Sequence, residues 1–289
     1  MKILIIGADG QLGSDLCKVI PQEEQIPLTI KDLDITNQEQ TVAVLKKHQP
    51  DIVINTAAYN DVDQAEEKPE LALAINADGV KSLAEACQQI GAVLVHISTD
   101  YVFDGANKEP YLETDNPNPQ SAYATSKLLG EQWIKGLLDK YFIIRSTGLY
   151  GAAGCLGKGG TNFVENMIML ASSRPVLNVV ADEVLSPTYT RDLAEKIVEL
   201  IKTEKYGLYH LVNQGQCSWY EFACKIFEFL GRQVTINKIT AAEYKAKAKR
   251  PKYSVLENAA LKKIGLQDLR SWPEALKAYL EAKGYLGKA

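Results

Sequence analysis

Short apolar runs and helical periodicity take turns along the first half of the chain. Lys2-Ile3-Leu4-Ile5-Ile6 and residues 26–30, 52–54, 93–97 and 142–144 are brief, branched and flanked by polar residues, as buried strands are. Between them, residues 11–19, 38–48, 69–89 and 121–138 place apolar side chains three and four apart and predict helices. This alternation predicts an α/β fold, a doubly wound parallel sheet with helices on both faces. Ligands of such sheets bind beyond the carboxyl ends of the strands. Gly7, the Asn55-Thr56-Ala57-Ala58-Tyr59 run and Ser98-Thr99-Asp100 all fall at those ends.

After about Tyr150 the pattern changes. Residues 151–160 are rich in glycine and small side chains and predict a mobile loop. Helices are expected over 162–172, 190–202 and 218–230, and strands over 176–180, 208–212 and 234–236. Together they suggest a smaller mixed lobe, closed by an amphipathic helix over 272–283.

Gly7-Ala8-Asp9-Gly10-Gln11-Leu12-Gly13 lies between the first strand and the first helix. Strand, glycine turn and helix in that order form the context of a dinucleotide site, although the spacing is G-x-x-G-x-x-G and not G-x-G-x-x-G. Glycines let the backbone approach a pyrophosphate, and the helix start offers free N–H groups. Residues 1–150 are therefore expected to be a dinucleotide-binding, Rossmann-like domain. Residues 151–289 are expected to be mainly a substrate lobe, with some segments returning to the first domain.

A second pattern adds chemistry. Tyr123 and Lys127 stand four apart in the 121–138 helix, on one face. An ammonium beside a phenol would stabilise the phenolate and make the tyrosine a proton donor near neutral pH. Thr99 would position the same substrate oxygen. Y-x-x-x-K alone is a common surface spacing; the glycine run is what gives it weight.

The net charge of −4 gives no electrostatic case for nucleic acid or an anionic membrane. Five cysteines form no C-x-x-C pair and no metal-ligand spacing with the three histidines, so reduced thiols and no metal are expected. No signal peptide and no membrane-length apolar stretch is visible, and a cytoplasmic location is expected. His96, inside a strand, is read as a buried, hydrogen-bonded core residue. Cys155 is read as an unreactive loop thiol, and Trp219 as lobe packing that could still serve a substrate base.

Glycine turn, S-T-D and Y-x-x-x-K in this order resemble the extended short-chain dehydrogenase/reductase superfamily. Ser98-Thr99-Asp100-Tyr101-Val102-Phe103-Asp104-Gly105, Ser186-Pro187-Thr188-Tyr189-Thr190-Arg191-Asp192-Leu193 and Arg250-Pro251-Lys252-Tyr253-Ser254-Val255-Leu256 narrow the resemblance to the dTDP-4-dehydrorhamnose reductase family. The resemblance implies NAD(P)H-dependent reduction of the C4 keto group of a dTDP-linked 6-deoxy sugar. It places Gly7, Gly10, Gln11, Leu12 and Gly13 at the pyrophosphate, Asp34 and Ile35 at the adenine side, and Ala57, Ala58 and Tyr59 on the path to the nicotinamide. It makes Tyr123 the proton donor, with Lys127 on the nicotinamide ribose and lowering the Tyr123 pKa. Thr99, Asp100, Tyr123 and Arg250 would contact the nucleotide-sugar.

The chain departs from that pattern in places. Gly148 stands where the family carries a tryptophan, and Glu183 where it carries an amide. Some relatives dimerise through magnesium-bound carboxylates; Asp15 could serve, but Arg191 stands where an acid is wanted, so a homodimer is expected without the metal. For the cofactor, Lys31 after the second strand favours NADPH, while Asp32 and Asp34 leave NADH open. Reduction or epimerisation of another nucleotide-sugar, or a non-catalytic NADP-binding subunit, are the competing functions. A dehydratase is disfavoured, because Asp100-Tyr101 follows Thr99 where such enzymes carry Asp-Glu.

Overall fold

The apolar runs of the first half become the strands of one parallel sheet in a computed structural model that describes residues 1–155 and 159–286. In chain order the elements are β1 (Ile3–Ile6), α1 (Gln11–Val19), β2 (Gln25–Leu28), α2 (Gln38–His48), β3 (Ile52–Asn55), α3 (Val62–Glu67), α4 (Pro69–Leu73), α5 (Gly79–Ile90), β4 (Val93–Thr99), α6 (Ala122–Leu137) and β5 (Tyr141–Ser146). There follow β6 (Leu149–Tyr150), α7 (Phe163–Ser173), β7 (Val176–Val180), β8 (Val184–Leu185), β9 (Thr188–Tyr189), α8 (Thr190–Ile201), β10 (Gly207–His210), β11 (Cys217–Ser218), α9 (Trp219–Phe229), β12 (Thr235–Ile239), α10 (Ala241–Tyr244), α11 (Ala259–Lys263) and α12 (Trp272–Ala282). The six-stranded sheet runs β10-β5-β4-β3-β1-β2, and every pair in it is parallel.

β1 shows why these strands read as continuous apolar runs. Ile3 and Ile5 face a layer with Leu16 of α1 and Leu193 and Ile197 of α8, while Leu4 and Ile6 face Leu45, Leu83 and Ile134 on the other side. Both faces are covered, so neither can be polar. A third core gathers Tyr150, Phe222, Ile226, Trp272, Leu276 and Tyr279 around α9 and α12.

Several expectations are corrected. The strand expected over 208–212 in the smaller lobe is β10, and it completes the main sheet beside β5. The strand expected over 26–30 stops at Leu28, because the Thr29 amide and hydroxyl both donate to Asp32 Oδ2 at 2.9 and 2.8 Å and turn the chain. The single helix expected over 69–89 is α4 and α5 joined by a wider π turn at Ala74–Asp78. Gly130 of α6 passes directly over the Asn76 carbonyl at that turn, where a side chain would collide. Leu156, Gly157 and Lys158 of the loop expected over 151–160 lie outside the described residues. Among the described residues no helix is long and apolar enough to cross a membrane, and all five cysteines are free thiols.

Candidate active site

Gly7 leaves β1 with φ +77°, and a Cβ there would sit 2.8 Å from Thr56 Oγ1. Only glycine takes that turn without strain. A Cβ at Gly13 would run into the Gly7 carbonyl oxygen, so α1 starts pressed against the turn. Gly10 is the N-cap of α1 and has no side-chain hydrogen bond to the first turn, which leaves the opening N–H groups uncapped. A helix start of this kind suits a diphosphate. Leu12 is buried, so only its backbone can serve there. The Gln11 side chain is engaged elsewhere: its Oε1 accepts from the Gly151 amide at 2.9 Å.

On the rim of the crevice, Asp34 Oδ1 accepts from the amide and hydroxyl of Thr36 at 2.9 and 2.7 Å. Ile35 is buried beneath Gly79. Ala57 and Ala58 follow β3, and Tyr59 is held at both backbone atoms by the buried Asn76 side chain, which also donates to Ser126 Oγ at 3.0 Å. Tyr59 packs with Tyr101 and Tyr123 in one small cluster, which brings the strand ends and α6 together.

Ser121 caps α6 by accepting from the Ala124 amide at 3.2 Å, and so sets Tyr123 in the first turn. The Tyr123 side chain is buried in the first turn of α6, with its ring edge-on to Tyr101, two residues beyond Thr99, at 5.9 Å. Thr99 ends β4; its Oγ1 donates to Asp100 Oδ1 at 3.1 Å and accepts from the Tyr101 amide at 3.2 Å. Burial pushes the Asp100 carboxyl up to about 6, against hydrogen bonds from Ser254, Thr147 and Thr99.

Lys127 is buried one turn further along α6, but its ammonium does not reach the phenol. Nζ donates to the Ile97 carbonyl at 2.6 Å and meets His96 Nε2 at 3.3 Å. The expected acidification is therefore reversed: burial pushes the Tyr123 phenol up, and Asp100 and Cys155 add to this against Thr99. Burial also pushes Lys127 down to about 8, although Glu131 opposes it. His96, read from the sequence as a core residue, is fully buried and does touch the proposed machinery.

Arg250 lies on a clasp across the crevice. Its Nη2 donates to Asp63 Oδ2 at 2.9 Å, Lys249 donates to Gln120 Oε1 at 2.9 Å, and Lys247 pairs with Glu67. Residues 245–250, rich in lysine and arginine, thus form a loop tied to α3. Gly148 has φ +55°, and a Cβ there would lie 2.6 Å from Leu185 Cδ1 and 3.7 Å from Trp219 Cη2. A larger residue there would be strained at that φ and would displace the Leu185 side chain, and the Trp219 indole, packed on Phe163 at 4.6 Å, is the aromatic group nearest the gap. Asp15 is buried between α1 and α8, accepting from Thr190 Oγ1 at 2.6 Å and pairing with Lys18, which turns it away from any surface metal. Asn76, Glu131 and Arg145 were not legible as site residues; a polar side chain on an otherwise apolar helix face or strand was their only signal.

Comparison with known proteins agrees with this geometry. The family model described as "RmlD substrate binding domain" matches residues 1–284. The spore coat polysaccharide biosynthesis protein SpsK of Bacillus subtilis is 43% identical over 284 residues, 98% of each chain. A dTDP-4-dehydrorhamnose reductase of Aggregatibacter actinomycetemcomitans is 38% identical over 97% of this chain and 99% of its own. The crystal structure of a dTDP-4-dehydrorhamnose reductase from Bacillus anthracis in complex with NADP superposes with a TM-score of 0.93 at 44% identity, over 98% of this chain and 100% of that one. With its strand-end hydroxyls, glycine cradle and full-length match, the chain belongs to the RmlD family, in which the dTDP-4-dehydrorhamnose reductases fall.

Proposed function

We propose that the protein is a cytoplasmic, NADPH-dependent reductase that converts the C4 keto group of dTDP-4-dehydro-6-deoxy-L-mannose to the hydroxyl of dTDP-L-rhamnose. The observation that carries the proposal is that Thr99 at the end of β4, the buried Tyr123 packed edge-on to Tyr101, and the Gly7–Gly13 cradle after β1 all lie at the carboxyl ends of one parallel sheet. Bound there, the nicotinamide supplies the hydride.

The remaining work falls to the protein. Tyr123 keeps its proton at neutral pH because burial disfavours the phenolate, so it can give that proton to an oxygen that becomes basic as the carbonyl is reduced. Thr99 fixes that oxygen and the phenol at one point. Asp100 holds Thr99 in turn, and Thr147 donates to Asp100 Oδ2 at 2.8 Å. Arg250 and Asp63 close the crevice from the side of the second half, where a nucleotide diphosphate would need a cation.

Two acids that would favour NADH are otherwise occupied, Asp32 by Thr29 and Asp34 by Thr36. That supports NADPH, with Lys31 as the partner of a 2′-phosphate.

The test is oxidation of NADPH in the presence of dTDP-4-dehydrorhamnose, with the product identified as dTDP-L-rhamnose. Tyr123→Phe is expected to abolish turnover and leave NADPH binding nearly unchanged. Retained turnover in that variant would remove Tyr123 from the mechanism.

A further inference from the structure

Beneath the proposed site runs a chain of four hydrogen bonds, the middle two buried, whose direction is fixed at both ends. Asn55 Oδ1 accepts from the Ala57 amide at 3.1 Å. The opposite amide orientation would put an NH2 group against that N–H, so Asn55 must present Nδ2 to His96 Nδ1, 3.2 Å away. His96 Nδ1 is therefore the acceptor, and the ring proton sits on Nε2. Nε2 faces Lys127 Nζ at 3.3 Å, and Nζ itself donates to the Ile97 carbonyl at 2.6 Å. An N–H directed at an ammonium is repulsive. An N–H directed at the lone pair of a neutral amine is a hydrogen bond.

We infer that Asn55 and His96 are positioning residues that lock one histidine tautomer and so disfavour the ammonium form of Lys127 in the free protein. The inference deepens the reductase reading and rests on it for the role of Lys127. Its consequence is that Lys127 holds its proton more firmly once a compensating oxygen, such as a ribose hydroxyl or a phenolate, arrives beside it.

The surroundings agree. His96 and Lys127 are both at least 98% buried, at 0% and 2% exposed. Burial, and then Lys127, hold the imidazole well below its usual pKa, which excludes a charged ring. The other titratable group that acts on Lys127 is Glu131, four residues along its own helix. Glu131 favours the ammonium, but Arg145 neutralises it through two hydrogen bonds.

Two measurements on the full chain without substrate test this. In 15N-histidine NMR at neutral pH, His96 is expected with a bare Nδ1 and a protonated Nε2; the opposite tautomer or an imidazolium overturns the inference. In 13Cε-lysine NMR, the resonance lost in Lys127→Arg is expected to titrate well below the other lysines. Asn55→Asp keeps an acceptor for the Ala57 amide and reverses the end facing His96. It is expected to move the ring proton to Nδ1 and raise the Lys127 titration by about one unit or more. A folded Asn55→Asp protein with an unmoved tautomer overturns the inference; if that variant does not fold, the native tautomer decides alone. Neither readout uses turnover, so failure here is distinct from failure of the reductase assay.

Discussion

Arg145 of β5 grips both carboxylate oxygens of Glu131 on α6, with Nε to Oε1 at 2.8 Å and Nη2 to Oε2 at 2.7 Å. Ser98 of β4 donates to the same Oε1 at 2.6 Å. Both charged side chains are 1% exposed or less, so the pair rivets the helix carrying Tyr123 and Lys127 to the strands carrying Thr99 and Ser146. Removing one partner strands a buried charge. Arg145→Leu or Glu131→Leu is expected to cost about 3–5 kcal/mol in urea unfolding, and the double variant to recover part of that loss.

Gly13 and Gly10 look equivalent in the sequence and are not equivalent in space. A Cβ at Gly10 would be 3.3 Å from the Gly7 carbonyl oxygen, while one at Gly13 would overlap that atom. Gly13→Ala is expected to force α1 off the turn and weaken NADPH binding by about tenfold or more; Gly10→Ala should weaken it less. Cofactor titration by fluorescence measures both.

Lys127 is expected to set the alkaline limit of the reaction. Its lowered pKa means the ammonium is lost as pH rises through about 8, earlier than for an ordinary lysine. The Tyr123 phenol, pushed upward, keeps its proton over the same range. The logarithm of kcat/KM is expected to fall above about pH 8, and that limb should vanish in Lys127→Arg, whose side chain stays charged. A limb unchanged in Lys127→Arg would assign it to another group.

Cofactor choice is expected to rest on Lys31, which is exposed just beyond β2. Lys31→Ala should lower kcat/KM for NADPH about tenfold and leave the NADH value nearly constant. Equal losses with both cofactors would place the 2′-phosphate elsewhere.

Much of the fold was legible because β1, β3, β4 and β5 are buried on both faces, which forces uninterrupted apolar runs whatever their partners. The Gly7–Gly13 turn was legible because its backbone excludes side chains. What stayed hidden depended on contacts distant in sequence. The break at Ala74–Asp78 serves to aim Asn76 at Tyr59, and no local pattern encodes that aim. The lowered Tyr123 pKa was expected because Lys127 stands four residues along the same helix, yet side chains four apart on a helix still choose their partners. Lys127 takes the Ile97 carbonyl and His96 instead. Likewise β10 reads as an ordinary strand of the second half; only its register against β5 assigns it to the main sheet.

That last strand has a consequence for synthesis on the ribosome. Until residues 207–210 emerge, β5 is an open edge with unsatisfied amides, and Leu193, Ile197 and Leu200 are not yet available to cover Ile3 and Ile5. A nascent chain of 150 residues thus carries the whole glycine cradle on a scaffold whose flank is bare, a state prone to intermolecular pairing. Expressed alone, residues 1–150 should be recovered as aggregate, and supplying β10 and α8 in trans should increase the soluble fraction.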